Sequence, residues 1–203
     1  MEQLLSCFNV TVFQCYNCSM VPVNDNSQAL RVGDGMPPFT LPSTDGRQVS
    51  PADIIEPVIV IVFTCNHCPY AQAYEDRLAA LGRQFDSEGV RFILINSNDA
   101  TDYPEDSFAE MKKRAKAKNF PFPYCHDESQ EVAKAYGAVC TPHCFVFDSD
   151  RRLQYKGRVD DNWKDPKKVT QHNLLDAIQA ILDGEKPVVA EANAIGCSIK
   201  WKQ

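Results

Sequence analysis

Two closely spaced cysteines carry the chemistry that this sequence most readily indicates. Cys65 and Cys68 form a C-x-x-C motif, with Asn66 and His67 between them and Pro69 directly after it. Such a dithiol forms and breaks disulfide bonds, because one thiolate attacks a disulfide and the second cysteine resolves the mixed disulfide. We expect Cys65 to be the nucleophile and Cys68 to be the resolving cysteine.

The residues on either side of the motif predict how it is held. The run 58–63 (VIVIVF) is apolar throughout and mostly β-branched, which is typical of a central strand buried on both faces. A helix is predicted to follow Pro69, with Tyr74, Leu78, Leu81 and Phe85 on one apolar face. Unpaired N–H groups at the helix start would stabilise a thiolate at Cys65, and a protonated His67 would add to this effect.

A polar loop is predicted to lie beside the two thiols. The next buried strand, 90–96, should run parallel to the first, so both strands end at the same edge of the sheet. The loop after it contains Asn98 and Asp99, which we expect to position substrate near the disulfide. Ordinary Asx-turn chemistry is the alternative explanation for these side chains.

A Thr-Pro pair opens a later strand and completes a resemblance. Thr141 and Pro142 lie in the segment 138–148, where a proline can begin a strand but cannot sit inside a central one. The chain resembles the thioredoxin superfamily in three features. They are the buried strand that ends in C-x-x-C-P, the parallel crossover and this strand that opens with Thr-Pro. The resemblance implies that Pro142 is cis and lies against the C-x-x-C motif. It also implies that the Thr141 backbone pairs with an extended substrate.

A narrower resemblance runs from Gly33 to Trp201. The chain is similar to bacterial thioredoxin-like proteins of the alkyl-hydroperoxide-reductase and thiol-specific-antioxidant group, which are often labelled thiol-disulfide isomerases. The motifs are FTCNHCPY, NSND, YPED, DESQEVAKAYG, GRVDDN and IGCSIKW. The expected site comprises the catalytic residues Cys65, Cys68, His67 and Pro142 and the substrate-binding residues Thr141, Asn66, Asn98 and Asp99.

The sequence departs from thioredoxin itself at three places. Thr64 stands where a tryptophan precedes the motif, and Asn-His replaces Gly-Pro between the cysteines. No acidic residue interrupts 58–63, so the buried carboxylate that relays a proton in thioredoxin is absent there. Its location makes Asp99 the candidate proton acceptor.

The predicted fold is α/β, a thioredoxin fold whose central mixed sheet is flanked by helices, with an N-terminal β-hairpin and terminal extensions. We divide the chain into an extension (1–30), a thioredoxin-like domain (31–185) and a tail (186–203). The predicted element order is ββαβαβαββα. The first half has a hairpin at 39–41 and 48–49, and a helix is predicted from Pro104 to near Asn119. An extended connector at 120–124, a short helix at 129–136, an edge strand at 153–156 and a helix at 171–183 follow.

Composition limits the partners and the compartment. The 203 residues are 44% hydrophobic and 24% charged, which suits one soluble domain. A net charge of −6 argues against nucleic-acid and anionic-membrane partners, which require a cationic face. Nine cysteines, an odd number, and the lack of Lys and Arg in the first 30 residues favour a cytoplasmic protein.

Thiol-disulfide exchange needs no cofactor, so the expected partners are protein or small-molecule thiols and disulfides, together with a recycling reductant. One alternative is a peroxiredoxin-like peroxidase, but Val58 and Val62 occupy the proline and hydroxyl positions of its P-x-x-x-[ST]-x-x-C frame before Cys65. The other alternative is a metal-binding module, whose zinc or copper ligands would be Cys65, Cys68, Cys140, Cys144 and His143.

Four further cysteines carry open assignments. Cys15 and Cys18 form a second C-x-x-C near Cys7, which could be an accessory redox relay or a loosely packed extension. Cys197 in the tail could be a third redox thiol or a small buried side chain.

His67, which lies between the two cysteines next to Cys68, predicts the redox potential of the pair. A charged His67 stabilises the reduced form, so the disulfide should be more oxidising than that of thioredoxin, at roughly −270 mV, but less oxidising than the strong periplasmic oxidant, at roughly −120 mV. His67→Pro should therefore lower the potential. A glutathione redox titration of both proteins measures this, and an unchanged potential would mean that the helix terminus alone tunes the pair.

Overall fold

The computed structural model describes residues 29–203. Cys7, Cys15 and Cys18 therefore lie outside the described residues, and their predicted roles stay predictions. None of the helices in the described part is both long and apolar enough to cross a membrane.

The core of the fold is a five-stranded mixed sheet with the strand order β5-β4-β3-β7-β8. Nine strands are described in residues 29–203: β1 (Leu41–Pro42), β2 (Gln48–Val49), β3 (Val58–Phe63), β4 (Val90–Asn96), β5 (Tyr124–His126), β6 (Cys140–Thr141), β7 (His143–Phe147), β8 (Leu153–Gly157) and β9 (Cys197–Ser198). The α-helices of the same part are α1 (Pro69–Phe85), α2 (Phe108–Ala117), α3 (Glu131–Tyr136) and α4 (Asn173–Leu182).

Strand β3 is the centre of the sheet, as its apolar sequence predicts. All six of its residues are buried, and it pairs in parallel with β4 and antiparallel with β7. Val58, Val60 and Val62 belong to one hydrophobic cluster, and the alternate residues Ile59, Ile61 and Phe63 belong to a second. Because successive side chains point to opposite faces, the unbroken apolar run fills the cores on both sides.

The pairing of β3 brings three chain segments to one edge. Its last residue, Phe63, is opposite Ile95 of β4 and His143 of β7. The C-x-x-C motif, the loop after β4 and the Thr141–Pro142 pair therefore meet at this edge. The fold is the expected thioredoxin fold, and the β1–β2 hairpin pairs Leu41 with Val49 as predicted.

Three features differ from the sequence prediction. The extended connector at 120–124 leads into β5, which pairs with β4 and extends the sheet. The predicted strand 138–148 is divided at Pro142 into β6 and β7, and the Thr141–Pro142 peptide bond is cis, the form that the resemblance implies. The tail contributes β9, a strand of two residues that pairs antiparallel with β6.

Helix α1 packs on β3 and β4 through the predicted apolar face, with one difference in depth. Leu78 is 1% exposed, whereas Leu81 is only partly buried at the rim of the same cluster. Leu78→Ala should lower the free energy of unfolding by about 3 kcal/mol, and Leu81→Ala by about 1 kcal/mol, because the lost contacts and the cavity scale with burial. Urea unfolding of the two variants measures the difference. Equal losses would contradict this packing.

Candidate active site

The two thiols of the C-x-x-C motif lie side by side at the end of β3. Cys65 is 2% exposed and Cys68 is fully buried. Both sulfurs contact Thr141, which precedes the cis bond: Cys65 Sγ lies 3.2 Å from Thr141 Oγ1, and the Cys68 thiol donates to the Thr141 carbonyl oxygen at 3.3 Å. The structure thus brings the predicted cysteines and the Thr-Pro pair together.

The start of helix α1 lies closer to Cys68 than to Cys65. Pro69 is the first helical residue, and Cys68 is the N-cap. The positive end of the helix dipole and the unpaired N–H groups of the first turn therefore lie at Cys68. Cys65 belongs to the loop between β3 and the helix, which reduces the stabilisation predicted for its thiolate.

The pKa values of the two thiols move in opposite directions. Burial raises the pKa of Cys65 well above its usual value, and the adjacent Cys68 and the charge of Asp106 raise it further. The pKa of Cys68 is lowered, because Cys68 accepts hydrogen bonds from Cys197 and from Cys65. Burial opposes this effect, but the hydrogen-bond donors prevail. The thiolate predicted at Cys65 is favoured at Cys68 instead.

A buried carboxylate that the sequence analysis did not single out lies beside Cys65. Asp106 has no exposed surface and accepts hydrogen bonds from the Asn66 N–H at 2.6 Å and from Asn98 Nδ2 at 2.9 Å. It also forms a short contact with Nδ1 of His67, whose ring stacks on Tyr103 with centroids 4.5 Å apart. Asp106 therefore orders the turn that carries both thiols.

The hydrogen bonds keep Asp106 ionised. Burial raises the pKa of this carboxyl, but the hydrogen bonds from His67 and Asn98 outweigh burial, so the net pKa is lowered. A negative charge next to His67 offsets the positive charge that the sequence argument assigned to this histidine. The available signal was the YPED motif, of which Asp106 is the last residue.

The two predicted loop residues after β4 have different surroundings. Asn98 lies next to the thiol turn, since it donates to Asp106 and accepts from the Lys200 N–H at 2.9 Å. Asp99 accepts hydrogen bonds from Thr101, and in the part of the chain that the structure describes it has no hydrogen bond to either thiol. The role of Asp99 as a proton acceptor therefore stays a prediction, and the carboxylate that lies beside Cys65 is that of Asp106.

Asn66 is turned into the protein. Its side chain donates to the Glu105 carbonyl at 2.7 Å and accepts from the Tyr124 hydroxyl at 3.0 Å, and the residue is 5% exposed. These contacts leave its amide engaged with internal partners. These contacts give Asn66 a positioning role in the thiol turn, and its predicted contact with substrate stays a prediction.

The C-terminal tail occupies the edge that was predicted to bind substrate. In the β6–β9 pair, Thr141 is opposite Cys197. The side chain and backbone of Cys197 hydrogen-bond to Cys68, and Cys197 packs against the cluster of Cys65, Cys68 and Ala71. The Thr141 backbone is therefore already paired within the chain.

The metal site predicted from Cys65, Cys68, Cys140, Cys144 and His143 is not formed in the part of the chain that the structure describes. Among residues 29–203, the potential metal ligands with atoms within 4.8 Å of one another are Cys65, His67 and Asp106. Cys140 and Cys144 are buried, and burial raises their pKa values, as expected of small core residues. His143 is buried and its pKa is lowered to about 3 by burial, so it is neutral.

Comparisons with known proteins agree with this architecture. The model of the AhpC/TSA family matches residues 32–156. A conserved protein of Geobacillus kaustophilus, described as uncharacterized, is 43% identical with a TM-score of 0.80, over 85% of this chain and 93% of that chain. The thiol-disulfide oxidoreductase ResA of Bacillus thuringiensis is 21% identical over 126 residues, which are 62% of this chain and 69% of ResA. A putative thiol:disulfide interchange protein DsbE of Chlorobium tepidum, 21% identical, shares the fold with a TM-score of 0.54, over 63% of this chain and 85% of that chain.

The charge of Asp106 should be measurable at Cys65. Asp106→Asn should lower the pKa of Cys65, because it removes the negative charge that opposes ionisation, and Asp99→Asn should leave this pKa unchanged. The measurement is the pH dependence of Cys65 alkylation in a Cys68→Ser background, in which the tryptic peptide 48–77 carries Cys65 as its single cysteine. Faster alkylation is expected below the pKa of the parent protein. A larger shift from Asp99→Asn would contradict the assignment.

Proposed function

Because the chain belongs to the AhpC/TSA family, a redoxin family of the thioredoxin superfamily, we propose that it is a thiol-disulfide oxidoreductase whose redox centre is the Cys65–Cys68 pair. The observation that carries the proposal is the packing of both sulfurs against Thr141 at the cis bond. Cys65 and Cys68 are also in mutual contact through a hydrogen bond between their side chains. This arrangement supports closure to a disulfide without movement of the core.

The opposite pKa shifts support a division of roles. A thiol-disulfide exchange is faster when the leaving thiol has the lower pKa. In the oxidised pair, an incoming thiolate attacks Cys65 Sγ, a bond forms between substrate and Cys65, and Cys68 leaves as the thiolate. In the reverse direction the Cys68 thiolate attacks Cys65 of a mixed disulfide and releases the substrate. Cys65 is thus the sulfur that joins the substrate, and Cys68 is the resolving sulfur.

The proton at Cys65 needs an acceptor, and we assign this role to the His67–Asp106 pair. Ligand atoms of Cys65, His67 and Asp106 lie within 4.8 Å of one another. Asp106 holds His67 through Nδ1, which fixes the orientation of the ring. Substrates of this reaction are thiols and disulfides, and continued turnover requires a separate reductant or oxidant that recycles the pair.

The role assignment predicts a trapped intermediate. Cys68→Ser should accumulate a mixed disulfide through Cys65 when it is mixed with oxidised glutathione, because attack still occurs and resolution does not. Mass spectrometry of the peptide 48–77 should show one added glutathione. Cys144→Ser, which removes another buried cysteine, is the matched control and should show no accumulation.

Two results would count against this function. A Cys68→Ser protein that gains no glutathione on the peptide 48–77 would contradict the roles. Consumption of hydroperoxide without disulfide exchange, in parallel assays with dithiothreitol as reductant, would favour the peroxidase alternative. Metal analysis of the same sample tests the metal-binding alternative, which requires a stoichiometric ion.

A further inference from the structure

The tail lies directly on the Thr141–Pro142 peptide. Besides the Thr141–Cys197 pair, Cys140 is opposite Ser198 in the same short ladder. Gly196 precedes this ladder, and a Cβ atom placed on it would be 2.0 Å from the Thr141 carbonyl oxygen and 3.2 Å from the Pro142 nitrogen. Such an approach is possible for a glycine alone, so this position of the tail depends on Gly196.

Contacts beyond the ladder hold the tail in place. Ile199 is 3% exposed within a hydrophobic core cluster, and its N–H donates to the Val139 carbonyl at 3.2 Å. The Lys200 carbonyl accepts from the Asp99 N–H and from Gln130 Nε2, both at 2.8 Å. The segment around Cys197 is therefore held by the backbone pairing of β9, by the burial of Ile199 and by the hydrogen bonds of Lys200.

The docked tail places a third sulfur in the cluster of the C-x-x-C thiols. Cys68 is in hydrogen-bond contact with Cys65 on one side and with the side chain of Cys197 on the other. Cys65 and Cys68 are almost fully buried, whereas Cys197 is partly exposed. Of these three cysteines, Cys197 is the residue with the greatest exposure to solvent.

We propose that Cys197 is a third redox-active thiol, which exchanges with Cys68 and carries the disulfide from the buried pair to the surface of the protein. The inference rests on the proposed redox function of Cys65 and Cys68. It also explains how a site whose Thr141 edge is occupied by its own tail can react with external thiols.

The exchange is balanced within the chain. The Cys197 thiolate attacks Cys68 Sγ of the Cys65–Cys68 disulfide, the Cys68–Cys197 bond forms, and the Cys65–Cys68 bond breaks. Cys65 is the thiol with the higher pKa, so it is protonated as it leaves, and this proton balances the one that Cys197 has lost. No external oxidant or reductant is consumed, because one disulfide replaces another.

The first experiment looks for the new disulfide in full-length protein. Cys65→Ser oxidised with diamide should contain a Cys68–Cys197 bond, detected by mass spectrometry as a link between the tryptic peptides 48–77 and 169–200. In this variant each peptide holds one cysteine, Cys68 or Cys197, so the link is unambiguous. Cys65→Ser/Cys140→Ser should keep the link, and Cys65→Ser/Cys197→Ser should lose it.

The outcomes separate this inference from the proposed function. If wild-type protein forms the Cys65–Cys68 disulfide but Cys65→Ser gives no link between the two peptides, the role of Cys197 is refuted and the function stands. If wild-type protein forms no Cys65–Cys68 disulfide, the function itself fails. A link in Cys65→Ser from the peptide 48–77 to the peptide 135–151, which carries Cys140 and Cys144, in place of the link to 169–200 would also refute the inference.

A second variant tests the docking without removing a sulfur. Gly196→Ala in the Cys65→Ser background should reduce the yield of the link, because the added methyl group displaces the tail from Thr141. In the wild-type background it should speed the alkylation of Cys197 by on the order of tenfold, since the tail leaves the thiol cluster. The matched control is Gly35→Ala, where an added Cβ meets open space. An unchanged link and an unchanged alkylation rate would refute the docked-tail mechanism.

Discussion

The buried carboxylate of Asp106 is the interaction on which the geometry of the site depends. A charge with no exposed surface is stable only when hydrogen-bond donors surround it. These donors come from two segments: Asn66 and His67 in the thiol turn, and Asn96 and Asn98 at the end of β4. Asp106 thereby ties the turn to the sheet edge. Burial raises the pKa of Cys65 and the charge of Asp106 adds to this effect, whereas hydrogen bonds lower the pKa of Cys68.

Thr141 contacts three sulfur-bearing residues that come from two distant parts of the chain, the C-x-x-C motif and the tail. Its hydroxyl contacts Cys65, its carbonyl contacts Cys68, and its backbone pairs with the strand that bears Cys197. A short strand with an unpaired edge tends to recruit another strand. In this chain the tail pairs with that edge of β6. A substrate in extended conformation must therefore compete with a segment that is held by its own contacts in the hydrophobic core.

The sequence predicted the features whose signals are local. The apolar run of β3, the periodic face of α1, the cysteine spacing and the Thr-Pro pair are each contained in a few neighbouring residues, and the structure places all of them as expected. Asp106 was missed because it meets Cys65 only through the fold, some 40 residues along the chain. Asp99 was chosen by its place after a strand, and placement alone does not reveal which carboxylate points inward. Strand β9 has two residues, too few for a periodic pattern.

The tail and the redox chemistry of the buried pair are coupled through Cys68. A disulfide is a stronger oxidant when its reduced form is stabilised, and the largest contribution that lowers the pKa of Cys68 is its hydrogen bond from Cys197. The positive charge expected at His67 is offset by Asp106, so His67 alone does not supply this stabilisation. The docked tail therefore does two things at once. It closes the Thr141 edge to extended substrates and, under the proposed redox function, it holds a hydrogen-bond donor against the thiol that leaves.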